Sequence, residues 1–171
     1  MGLADGPSGL LRAFLATDVY TEKGRLRSDD LLVRERVGRE LGGAAAAIRS
    51  LISAWRADRV PASTREQPFP PAAVMEPIRR AERLVKQIED TSVAVRGLPL
   101  LNSDKVWDRV RHVGLDELMQ FDWTLVGESA AAASDAQAAT ALDELDIAAL
   151  ETRLRTIREV MTDRQHYIEI R

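Results

Sequence analysis

Histidine is the residue whose chemistry at neutral pH needs least help, and the chain has two, His112 and His166, with no cysteine among its 171 residues. The missing thiol excludes a disulfide framework, a thiolate nucleophile and any zinc site that uses sulfur. Asp163 precedes His166 by three residues and Asp108 precedes His112 by four, so each pair shares a helix face. A carboxylate-bridged dimetal bundle requires two Glu-x-x-His pairs and two further Glu. Here one pair has Asp in place of Glu and the other has the wrong spacing. His112, His166 and Asp163 are therefore weak metal candidates, and no cofactor is expected. RNA cleavage by an Arg-assisted His would use Arg158 with His166, but seven residues intervene where four to six are wanted. Ser50 and Ser53 have no His near them in sequence, and neither a G-x-S-x-G elbow nor a P-loop occurs.

Charge distribution carries more information. The formal net charge is −3, which argues against a nucleic-acid-coating protein, since that role needs a basic excess to release counterions. From His112 through Thr152 there is no Lys or Arg, while Asp116, Glu117, Asp122, Glu128, Asp135, Asp143, Glu144, Asp146 and Glu151 all fall within this stretch. Complementary charge raises association rate and selects partners. Asp116, Glu117, Asp122 and Glu128 are accordingly the expected contacts for a basic protein partner. The competing reading is a solvated face, or acids neutralised inside the fold by Arg34, Arg36 or Arg79 to Arg83.

These residues have to be positioned by helices, because helical periodicity dominates the chain. Ser28 reads as an N-cap for a first long helix to about Arg59, with Val33, Val37, Leu41, Ala44, Ile48, Leu51/Ile52 and Trp55 on one face. The stripe stays in phase across Gly42-Gly43, which predicts one unbroken helix with a close crossing at the glycines. Residues 61–71 form a proline-rich loop, and its Arg65-x-x-Pro68-x-x-Pro71 spacing weakly matches a polyproline ligand. Phe69 is expected to tuck onto the bundle. A second helix over 72–96 carries a heptad seam of Val74, Ile78, Ala81, Val85, Ile88, Ser92 and Val95, and Gly97 stops it. A third begins at Asn102 or Ser103, passes Gly114, and carries Val106, Trp107, Val110, Leu118, Phe121 and Leu125. Residues 129–142, rich in Ala, read as a frayed helix end and a mobile connection. The last helix spans about Asp143 to Tyr167, with a seam of Ile147, Leu150, Leu154, Ile157, Met161 and Ile168 interrupted by Arg164.

The expected fold is all-α: one domain over 1–171, an antiparallel bundle of about four long helices. Residues 1–28 form an N-terminal segment with a short helix, leaving room for a small hairpin around Lys23-Gly24, and Tyr167 to Arg171 alternates like a strand. No apolar run reaches the length of a membrane span, and the N-terminus lacks the pattern of a signal peptide, so a cytoplasmic location is expected. The function these features favour is a non-enzymatic helical interaction module, an adaptor, scaffold or regulatory subunit binding a protein partner, with room for a homodimer. The alternative is a small helical-bundle ribonuclease or metal-dependent enzyme using His166 or His112.

Overall fold

A computed structural model describes residues 22–98 and 115–170, and all that follows concerns these residues. They form four α-helices: α1 (Glu22–Arg59), α2 (Ala72–Arg96), α3 (Leu115–Ala138) and α4 (Ile147–Ile170), with a 3₁₀ turn at Leu142–Glu144 before α4. No strand occurs among the described residues.

Helix α1 is continuous through Gly42-Gly43, and its apolar stripe is the buried one: Val33, Val37, Leu41, Ala44, Ile48 and Ile52 all lie in the core. It starts seven residues earlier than expected, so Ser28 is an interior residue and no hairpin forms at Lys23-Gly24. Glu22 to Leu31 is dominated by Glu, Lys, Arg and Leu, good helix formers that outweigh the roughly 1 kcal/mol cost of Gly24. The close crossing at the glycine pair is also corrected. Gly42 is exposed with no atom within 4 Å of where a Cβ would stand, and at Gly43 the nearest is Gln137 Nε2 at 3.6 Å. Gly38 is the covered one, with the Arg96 guanidinium 2.8 Å from its Cβ position.

Helix α2 buries Ile78, Ala81, Leu84, Val85, Ile88, Thr91 and Val95, so Thr91 takes the core position expected of Ser92, which is only half-buried. Thr91 satisfies its hydroxyl by donating to Gln87 O (2.7 Å), the usual solution for a helical Thr that must be buried. Trp55 Nε1 donates to Val74 O (3.0 Å), tying the far end of α1 to the start of α2.

Helix α3 departs furthest from expectation. The Ala-rich span is helical through Ala138, and Ser129, Ala132, Ala133 and Ala136 are buried. Ala is the strongest helix former, and its small side chain lets neighbouring backbones approach without any large anchor. Leu142 and Leu145 then bury the connection itself. Asp146 caps α4 by accepting from Ala149 N (2.9 Å), three residues beyond the start expected at Asp143. The strand-like Tyr167-Ile-Glu-Ile is helical to Ile170, which lets its backbone groups bond within one segment where no partner strand exists. The Asn102 or Ser103 cap, Val106, Trp107, Val110, Gly114, His112 and the short N-terminal helix fall outside the described residues.

Side-chain pairs fix the arrangement. Arg49 with Glu89 and Arg56 with Glu82 join α1 to α2, running antiparallel. Arg153 with Asp135 and Arg164 with Asp122 join α3 to α4, also antiparallel. The two hairpins pack side by side, α1 on α3 and α2 on α4, each of these pairs parallel, so α1 and α4 lie across the bundle diagonal. One apolar core runs through all four helices.

Candidate functional site

The acidic run resolves into two groups. Asp116 and Glu117 lie in the first turn of α3, exposed, and form no ion pair with any described residue. Asp122 and Glu128 are taken up within the fold. Glu128 accepts from Arg153 Nη1 (3.1 Å), and the same guanidinium donates through Nε to Asp135 (2.6 Å). The direct ion pairs come from α4; of the arginines that the competing reading named, Arg34 acts on Asp122 only at longer range, and Arg36 and Arg79 to Arg83 form no ion pair with these acids. Hydrogen bonding to Asp135 above all, and to Glu128, holds the Arg153 guanidinium even more firmly charged than usual.

Asp122 belongs to a buried ionic cluster at one end of the bundle. Arg164, on α4, donates through Nε to Asp122 Oδ1 (2.9 Å) and through Nη2 to Asp30 Oδ1 on α1 (2.6 Å), with its side chain 3% exposed. Arg34 Nη2 lies 2.7 Å from Asp30 Oδ2, an electrostatic contact with no N–H aimed along it. Through Nη1, Arg34 also donates to the carbonyl oxygens of Leu98 and, at 3.5 Å, Arg96, where α2 ends. Charges therefore alternate Asp122, Arg164, Asp30, Arg34 and finish on the orphan carbonyls of α2, so every helix of the bundle has a member in one network. With both carboxylates ionised its net charge is zero, which is what makes burial tolerable. Burial nonetheless pushes the Asp122 carboxyl above its ordinary pKa, outweighing the opposing pull of Arg164; neighbouring Asp30 adds to the rise and Arg34 opposes it.

Sequence reasoning missed Asp30, Arg34 and Arg164 as a set, although a signal existed. Arg164 occupies the heptad position held by Ile157 and Leu150, and Asp30 the one held by Val37 and Ala44. Charges on a buried seam require partners.

The catalytic candidates stay apart. Arg158 turns toward α2, donating to Thr91 Oγ1 (3.0 Å) and Gln87 O (3.2 Å). His166 is exposed, eight residues on, a displacement of about 12 Å along the helix. Asp163 is exposed too, and among the described residues no three His, Asp or Glu side chains group as metal ligands would. The largest groove described lies where Ala73, Glu76, Pro77 and Arg80 of α2 face Leu142 to Ala148, but its Asp146 is spent on capping α4. In the proline-rich loop, Thr64 and Gln67 close a turn over Arg65-Glu66, and the chain bends again at Phe69. This is not the extended polyproline conformation that a groove ligand presents. Phe69 is 80% exposed instead of tucked onto the bundle. No helix of the described residues is long and apolar enough to cross a membrane. Comparison of the chain with family models, curated proteins and solved structures finds no match.

Proposed function

We propose that the chain is a non-enzymatic helical interaction module, an adaptor, scaffold or regulatory subunit working in the cytoplasm, whose output is binding a basic protein partner. The observation that carries this reading is the division of the acidic run. Asp122 and Glu128 are neutralised by Arg164 and Arg153, whereas Asp116 and Glu117 are exposed and without an ion-pair partner among the described residues. Two adjacent, uncompensated carboxylates on a helix end attract positive charge over a Debye length of about 8–10 Å, and complementary charge of this kind acts chiefly on encounter rate and partner choice. The basic partner contacts the first turn of α3, with Asp116 and Glu117 as its principal acidic anchors; Asp122 and Glu128 stay with their internal arginines.

The test compares the wild-type chain with the double reversal Asp116→Lys, Glu117→Lys. A partner captured from the source lysate by the first and lost by the second is then purified, and its association rate is followed from low to high salt. The reading expects at least a tenfold slower association at low salt for the reversed protein, and convergence of the two at high salt. Equal rates at all salt concentrations, with the helical content of both proteins unchanged, reject it.

A further inference from the structure

The ionic cluster does something that an apolar layer in its place could not, because the rest of the bundle repeats. Stepping by seven residues from the cluster, Asp30 leads to Val37 and Ala44, Asp122 to Ser129 and Ala136, and Arg164 back to Ile157 and Leu150. Val37, Ala44, Ser129, Ala136, Ile157 and Leu150 are all buried. Ser129 turns its hydroxyl onto Val126 O (3.0 Å), so it presents no polar demand to its neighbours. The two helical hairpins thus meet along parallel interfaces that remain apolar after a slide of one heptad, although side-chain sizes then differ, with Leu125 standing in the place of Ala132. In a slid arrangement Arg164 would face the layer of Val37, and Asp30 and Asp122 would no longer share a guanidinium. Charges buried without partners are the most heavily disfavoured contents of a core.

We infer that the cluster of Asp30, Arg34, Asp122 and Arg164 is a register lock, which selects the one axial alignment of the α3–α4 hairpin on the α1–α2 hairpin. Its effect is on which packing is adopted more than on how stable that packing is. A single polar interaction on a repeating seam is the best-attested way to fix register. Arg164 suits the task because a guanidinium presents several donors in a fixed fork, here divided between carboxylates on two different helices.

The absence of native cysteine permits a direct test. Spin labels are placed on cysteines introduced at exposed Asp58, near the end of α1, and exposed Asp163, beside the cluster, so that their separation is mainly axial. In an otherwise wild-type chain the distance distribution has one narrow peak. In the variant Asp30→Asn, Asp122→Leu, Arg164→Met, which keeps a polar side chain beside Arg34 and its backbone acceptors at the end of α2, a second population appears, displaced along the axis by about 10 Å for a slide of seven residues. A second variant moves the α3 and α4 charges by one heptad: Asp122→Ser, Ser129→Asp, Ile157→Arg, Arg164→Ile. Here the whole distribution shifts by about 10 Å to longer distance, because the relocated charges must move one heptad toward the start of α1 to meet Asp30 and Arg34. A single unshifted peak in either folded variant overturns the register lock. If neither variant folds, the cluster is needed for stability itself, and the inference is equally overturned.

Discussion

Asp30 and Arg164 are separated by 134 positions in the chain and by 2.6 Å in the bundle, joined across its diagonal in a setting almost closed to water. The relation between them is unequal. Asp30 has a second cation in Arg34, whereas Asp122 is ion-paired with Arg164 alone among the described residues.

Removing the shared cation should therefore be the most damaging change in the cluster. Arg164→Met leaves Asp122 buried without its guanidinium and weakens the hold on Asp30, and breaking a buried pair from one side costs about 3–5 kcal/mol. Urea denaturation of the two proteins measures the difference directly, and a loss below about 1 kcal/mol would show that water enters the cluster freely.

Asp122→Asn should behave in the opposite way. Burial outweighs the attraction of Arg164 and raises the folded-state pKa of Asp122 above its unfolded value, so the folded chain takes up this proton at higher pH than the unfolded chain. The contribution of this group to stability is greatest below the ordinary carboxylate pKa, about 3.9. It declines as pH rises from there through the raised value. Near neutrality the Asn variant should be as stable as wild type or more so. The difference between the two stability curves, followed from pH 3.5 to 7, should flatten above the raised pKa; a variant markedly less stable at pH 7 contradicts the argument.

Gly42 offers a stabilising substitution. It is helical and exposed, with open space around a new Cβ, so Gly42→Ala should gain about 0.8–1 kcal/mol from helix propensity. For a chain of this size that is about 2–4 °C in Tm by calorimetry. An unchanged or lower Tm would mean that α1 is less regular at this point than its continuity implies.

Ala132 should tolerate no enlargement. It is fully buried on α3, in a part of the bundle held together by small side chains, and Ala132→Leu should cost about 1–3 kcal/mol by overpacking although Leu is also a good helix former. Ala138, exposed at the end of the same helix, is the control for the same substitution: Ala138→Leu should change stability by less than about 0.5 kcal/mol. Equal losses from the two, measured by urea denaturation, would place the cost in the helix itself and not in its packing.

The helices were legible where one face is apolar at regular spacing. The stripe from Val33 to Ile52 and the seam from Ile78 to Val95 are buried as their periodicity requires. The Ala-rich half of α3 was not legible, because periodicity is read from contrast and a run of Ala supplies none; its burial is set by how closely a neighbour can approach. Asp122 and Glu128 were visible as acids without a nearby base in sequence, but Arg153 and Arg164 stand opposite them on a helix that returns antiparallel. That relation belongs to tertiary structure. Asp116 and Glu117 are exposed, as both the docking and the solvated-face readings require.

The parallel docking of two hairpins has a consequence for the order of events as the chain is made. α1 and α2 meet through neighbours in sequence and can pair as soon as both exist, yet part of the apolar surface they give to the core is covered only by α3 and α4. Until α4 has been synthesised, Asp30 and Arg34 hold each other and the carbonyls of α2, while Val37, Leu41 and Ile48 wait without their opposite wall. The early hairpin is thus complete in its charges and incomplete in its hydrophobic cover, the condition in which a nascent chain depends most on chaperones or on prompt arrival of the rest of its own sequence.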